Sequence, residues 1–246
     1  MSAVVTILEL YPEHLAINGD MGNVRVLRRR LELAGHAVQV LGHAPGDTIP
    51  GGIDLIAIGS GPVSALRAIA ADIGSLGTGI RTLVDDGVPL LAVGGGFHVL
   101  GQELVLGDGE MRGAGVFDMV TDATAPRVVT GAFIVDTALG RLIGIENHGA
   151  TITLADGQAA FGVAVTGRGN GDGAEGASRA NAMGTHLHGP VLAMNPVLAD
   201  HLIGRALTRR GLSYQKVAEH ERLDALALET RVLLAPDSAL ERGATR

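Results

Sequence analysis

Apolar runs alternate with helical patterns through the first hundred residues. Val4–Leu8 is a short β-branched run. Gly22–Ala34 puts Val24, Leu27, Leu31 and Ala34 on one helical face and leaves Arg25, Arg28 and Arg29 largely off it, with Gly35 as C-cap. Ala37–Leu41 and Asp54–Ile58 read as further strands, and Ser64–Ile73 and Thr78–Asp86 as two helices. Pro89–Val93 is apolar throughout, as a strand buried on both faces should be. This β-α-β rhythm predicts an α/β fold, a mostly parallel sheet with helices on both faces. Glycines cluster where strands would end, at Gly59-Ser60-Gly61-Pro62 and Gly94-Gly95-Gly96, so both clusters should line one crevice at the carboxyl ends of the strands.

The second half is less regular. Gly115–Val120, Arg127–Val135 and Leu142–Glu146 read as sheet extensions and hairpins, and Gly167–Gly176 as a mobile polar loop. Asn195 and Pro196 are expected to cap and start a helix running to Arg210, ended by Gly211. Tyr214–Leu234 reads as an amphipathic helix and Ala235–Arg246 as a frayed tail. Residues 1–211 are expected to form the main domain and 212–246 a C-terminal helical extension.

Composition narrows the chemistry. A net charge of -7 and 2% aromatic residues argue against nucleic acid as a partner. The longest uncharged stretches are too short and too broken by Gly or Pro to span a membrane, and a cytoplasmic location is expected. There is no cysteine, so disulfides, thiolate metal sites and a cysteine nucleophile are excluded outright.

Four segments carry candidate chemistry. Pro89–Gly101 runs from a buried strand through a Gly turn into a helix, the geometry of a nucleophile elbow, with glycine where the nucleophile would stand; taken by itself, the segment reads first as a plain glycine-rich βα turn. His186 and His188 sit two apart on an extended segment, with no third metal ligand nearby, so a general base is the other role open to them. Glu146-Asn147-His148 reads as a polar strand end. Asp20 precedes the first helix, where a negative charge is favoured.

Together, and in this order, these segments resemble the GatD family of class I glutamine amidotransferases, near the cobyric acid synthase branch. The family's Tyr-Gly-Asp-x-Gly-Asn start is matched by Gly19-Asp20-Met21-Gly22-Asn23, with Asn18 for the tyrosine. Its Glu-Asn-His segment is matched by Glu146-Asn147-His148. Its Thr-Tyr-Leu-His-Gly-Pro and Asn-Pro motifs are matched by Thr185, Leu187 to Pro190 and Asn195-Pro196, with His186 for the tyrosine. The resemblance implies a class I amidotransferase-like fold, a heterodimer with a MurT-like Mur-ligase subunit, no cofactor, and amidation of D-glutamate in the peptidoglycan precursor. It also implies that His188 is the base, that Gly61 and Gly95 supply oxyanion N–H groups, that Arg127 lies on the substrate side, and that Asp20, His98 and His148 line the pocket. The acid that orients the base is expected from the partner subunit.

The family's elbow reads Cys-Gly-Gly-aromatic-Gln, whereas this chain has Gly94 for the cysteine and His98 for the glutamine. The thioester route needs a thiolate, so a degenerate subunit without glutaminase activity is expected. Gly94→Cys alone should restore little of it, and more when combined with His98→Gln. Two other readings stay open: an inactivated variant of an active glutaminase, and a small-molecule or metal-binding module using His98, His148 and His188.

Overall fold

The computed structural model describes residues 4–235. Its strands are β1 (Val4–Leu10), β2 (Ala37–His43), β3 (Leu55–Ile58), β4 (Leu90–Val93), β5 (Glu103–Leu106), β6 (Gly109–Arg112), β7 (Met119–Asp122), β8 (Val128–Thr137), β9 (Gly140–His148), β10 (Thr151–Leu154), β11 (Gly162–Ala164), β12 (Ala174–Glu175), β13 (Ala177–Arg179) and β14 (Ala182–Thr185). The helices are α1 (Gly22–Leu33), α2 (Val63–Asp85), α3 (Gly95–Val99), α4 (Val191–Met194), α5 (Pro196–Arg209) and α6 (Ala218–Leu234).

The main sheet has the order β13-β14-β4-β3-β1-β2, parallel except for the β13–β14 pair. Strand alternation divides its side chains between two cores. Leu8, Leu10, Ile56, Ile58, Leu90 and Ala92 pack on one face with Leu66, Ile69, Ile73, Ile80 and Val84 of α2. Val5, Ile7, Leu55, Ala57, Leu91 and Val93 pack on the other with α1 and α5, through Val24, Leu27, Leu31, Leu198 and Leu202. Helices therefore cover both faces, as the apolar pattern predicts. Two four-stranded sheets, β10-β7-β5-β6 and β12-β11-β8-β9, complete the fold.

The parallel register places the candidate site. Leu10 pairs with Ile58, Ile58 with Ala92, and Val93 with Thr185. The segments after β1, β3, β4 and β14 consequently leave the sheet at one edge. Asp20, Ser60, Gly94 and His188 lie on these four segments.

Several expectations are corrected. The two helices read at Ser64–Ile73 and Thr78–Asp86 are one, α2. Its internal Gly74, Gly77 and Gly79 cost about 1 kcal/mol each relative to alanine. Five buried aliphatic side chains, each contributing about 1.5–3 kcal/mol, outweigh that cost. Gly77 also lets the Ala114 carbonyl approach so closely that a Cβ there would clash. The strand read at Gly115–Val120 starts only at Met119. The helix read from Tyr214 starts at Ala218. The Tyr214 hydroxyl and Lys216 bond Asp200 instead and hold that stretch against α5. Asn195 precedes α5 as expected, but its amide makes no cap; it accepts from Ile143 N–H and donates to the Ile143 carbonyl, pinning β9. The glycine loop 167–176 does not hang free, because Arg168 and Gly169 N–H groups donate to Glu146 and Asn170 bridges to Gly176. Of the tail, residues 236–246 lie outside the described residues.

Candidate active site

β4 delivers Gly94 into a tight turn with φ 52° and ψ -120°. An L side chain adopts that conformation only under strain, which is the strained turn of a nucleophile elbow. α3 follows at once and buries Phe97 and His98.

The base that the sequence nominates faces this turn. His188 Nδ1 lies 2.8 Å from Asp20 Oδ2, and both side chains are buried. An Nδ1–H donated to the carboxylate leaves Nε2 with its lone pair free, and Nε2 is buried without a hydrogen-bond partner. A Cβ built on Gly94 would stand 3.0 Å from that Nε2. The resemblance places the orienting acid on another subunit; in this structure Asp20, after β1, is the carboxylate that holds His188 Nδ1 within this chain. Burial raises the Asp20 carboxyl above its ordinary range, against the opposing pull of His188 and the Gly189 N–H.

Ser60 is the residue that the sequence reading passed over. It stands in the Gly59–Gly61 turn after β3, and its Oγ accepts the Gly95 N–H at 3.0 Å. The Cβ built on Gly94 would come within 2.6 Å of this Oγ and 2.5 Å of His188 Cε1. The volume a side chain at 94 would need is therefore held by Ser60 and the imidazole. Of the two oxyanion candidates, Gly95 has its N–H engaged by Ser60, while Gly61 faces Gly95 across the turn.

A cavity of about 310 Å³ opens on this turn and is lined by Ser60, Gly61, Gly94, Gly95, His98, Arg127, Asn147 and His148. The structure thus brings together Gly61, Gly94, Gly95, His98, Arg127 and His148 on one wall system, with His188 and Asp20 behind Gly94.

His98 and His148 are not free ligands. His98 Nε2 lies 3.0 Å from His186 Nε2, and His186 Nδ1 lies 3.0 Å from Glu175 Oε2. His148 stacks on His186 with ring centroids 3.9 Å apart and contacts Glu146 at 3.0 Å. Among the described residues, no group of three or more His, Cys, Asp or Glu is arranged to hold a metal ion.

This buried network makes stability pH-dependent. Burial, reinforced by neighbouring imidazoles, holds His98 and His186 well below the ordinary histidine value of 6.5. Burial pushes Glu175 up to about 7 from 4.5, against the bonds from Thr185 and His186. Glu175 alone would lose stability as pH rises through that window. The two imidazoles lose it as pH falls below 6.5, and two groups outweigh one. From pH 6.5 down toward 5 the unfolded chain therefore binds more protons than the folded network, and stability falls as the pH falls. In His98→Gln, which keeps a donor toward His186, that excess vanishes. Urea melts at the two ends of this window should show the wild type losing more stability than the variant on acidification. Equal losses would contradict the proton count.

Comparison with known proteins places this geometry. Residues 6–196 match the CobB/CobQ-like glutamine amidotransferase domain. The chain is 29% identical over 218 residues to the GatD subunit of lipid II isoglutaminyl synthase (glutamine-hydrolyzing) from Staphylococcus aureus strain N315, covering 86% of this chain and 88% of that one. It is 29% identical over 212 residues to the GatD subunit from Streptococcus pneumoniae strain R6, covering 84% and 82%. Among solved structures, a glutamine amidotransferase superposes with a TM-score of 0.55 at 17% identity, over 81% of this chain and 98% of its own. PurLQS from Thermotoga maritima superposes at 0.53 and 12% identity, over 85% and 99%.

Proposed function

From the premise that the chain belongs to the CobB/CobQ-like glutamine amidotransferase family, we propose that it is a GatD-like subunit of a lipid II isoglutaminyl synthase without glutaminase activity of its own. The GatD relatives, each matched over more than four-fifths of both chains, support the assignment to that synthase. One observation carries the functional reading: an oriented His188–Asp20 pair is aimed at a residue that has no nucleophile. In this reading a MurT-like ligase amidates the D-glutamate of the peptidoglycan precursor and draws on free ammonia or another donor. Among the described residues, the extension that begins at 212 docks on the amidotransferase domain through the Arg30–Asp224 ion pair and the bond of His220 to the Arg30 carbonyl.

The inactivated-variant reading is less well supported. A single Cys-to-Gly replacement would leave an empty place at 94, whereas here Ser60 and the His188 ring stand in it. The metal-module reading lacks a third ligand among the described residues.

Co-expression with a MurT-like ligase tests the assignment. The two chains should co-elute from size exclusion as a heterodimer. Elution as separate monomers at micromolar concentration would remove the docking role.

A further inference from the structure

We propose that Ser60 is the nucleophile of a Ser60–His188–Asp20 site that hydrolyses short esters or thioesters carrying an anionic group. The glutaminase reading predicts a silent site; this inference goes beyond it and assigns the site a different chemistry.

The placement of three side chains carries it. Ser60 Oγ and His188 Nε2 lie 2.6 and 3.0 Å from the one point where a Cβ of residue 94 would stand, so they flank a single position. Glycine at 94 puts no side chain between them. His188 Nε2 is buried, has no partner, and is turned toward this position by the bond from Nδ1 to Asp20. Ser60 is 5% exposed, yet lines the cavity. Its oxygen accepts from Gly95 N–H, and among the described residues its own proton has no acceptor. A hydroxyl with a proton to give thus stands beside an imidazole with a lone pair to take it. Nε2 makes no hydrogen bond in this structure, and a catalytic bond from Oγ to it would form when substrate is bound. The chain order is Asp20, Ser60, His188, and such constellations are recognised by geometry and not by order.

The chemistry balances without a co-reactant other than water. Ser60 Oγ bonds to the acyl carbon, and its proton passes to His188 Nε2, where Asp20 stabilises the imidazolium. The oxyanion is met by N–H groups of Gly61, the residue after the nucleophile, and of Gly95, released as Oγ moves. The leaving oxygen or sulfur takes the proton from His188. Water then attacks the acyl carbon, His188 takes the water's proton, and that proton returns to Ser60 Oγ. Alcohols and thiols are better leaving groups than ammonia, which is why esters and thioesters are named. Arg127 on the cavity wall favours an anionic substituent.

A fluorophosphonate ester tests this on the full chain, since it reports the nucleophile whatever the natural substrate is. Attack forms a P–Oγ bond, breaks P–F and sends the proton to His188. Peptide mass mapping should find one adduct, on Ser60. Labelling should disappear in Ser60→Ala and slow by about 10²–10⁴-fold in His188→Ala. It should also fail in Gly94→Ala, whose Cβ would crowd Oγ at 2.6 Å. Thermal melts of each variant show that the fold survives. No adduct above that on heat-unfolded chain, an adduct elsewhere, or equal labelling in folded His188→Ala would each overturn the proposal. None of these results bears on the synthase assignment, which the heterodimer test addresses separately.

Discussion

Gly94→Cys is expected to leave glutaminase activity at least about a hundred-fold below that of an intact family member. Three obstacles combine. Residue 94 sits at φ 52° and ψ -120°, which glycine adopts freely. Another residue held there costs on the order of 1–3 kcal/mol, and only a surrounding that over-determines the turn keeps it in place. The new Cβ would then meet His188 Cε1 at 2.5 Å and Ser60 Oγ at 2.6 Å. Either the turn or the imidazole must shift, and moving the imidazole breaks its 2.8 Å contact with Asp20. A thiol misplaced by about 1 Å loses roughly two orders of magnitude.

Ser60→Gly added to Gly94→Cys removes one of the two clashes and should raise activity at least about tenfold over the single variant. The sequence alone points to His98→Gln as the companion change. The structure reorders these, because His98 is committed to His186 and is not among the atoms nearest the Gly94 Cβ. Steady-state glutaminase kinetics on the three variants, with the ligase partner present, make the comparison. A single variant as active as an intact family member would mean that the elbow was never remodelled.

The parts of the fold that local patterning dictates could be read directly. β3 and β4 are apolar throughout because helices cover both their faces, and α1 shows its buried stripe in the spacing of Val24, Leu27 and Leu31. The short strands β10 to β14 could not be read this way. They have two to four residues each, and their partners are set by contacts far along the chain. In α2 the stretch around Gly77 looked like a break because the use of that glycine, admitting the Ala114 backbone, is a tertiary contact.

The site divides in the same manner. Of the residues named from the sequence, Gly61, Gly94, Gly95, Arg127, His98 and His148 line the cavity, and His188 and Asp20 pair with each other beside Gly94. Their roles are another matter. Asp20 reads locally as a charge before a helix, yet it is the partner of a histidine 168 residues away. A usable signal existed: a carboxylate in the segment after the first parallel strand leaves the sheet at the same edge as the elbow. Ser60 stood in a cluster assigned to that crevice, but a serine outside the elbow attracts no attention until the volume beside residue 94 is known.

His188 and Asp20 stand hydrogen-bonded beside Gly94, where no thiolate can form. Removing a nucleophile of this kind costs on the order of a million-fold in rate. A hydroxyl attacking from Ser60 would still have to expel ammonia. Purified chain, alone and with a MurT-like ligase, should therefore release glutamate from glutamine no faster than buffer does, while the ligase partner turns over with ammonium salts. The deciding measurement is glutamate release by the heterodimer and by its His188→Ala variant under identical conditions. The account predicts that both traces coincide with background. Release well above background that disappears in His188→Ala would contradict it.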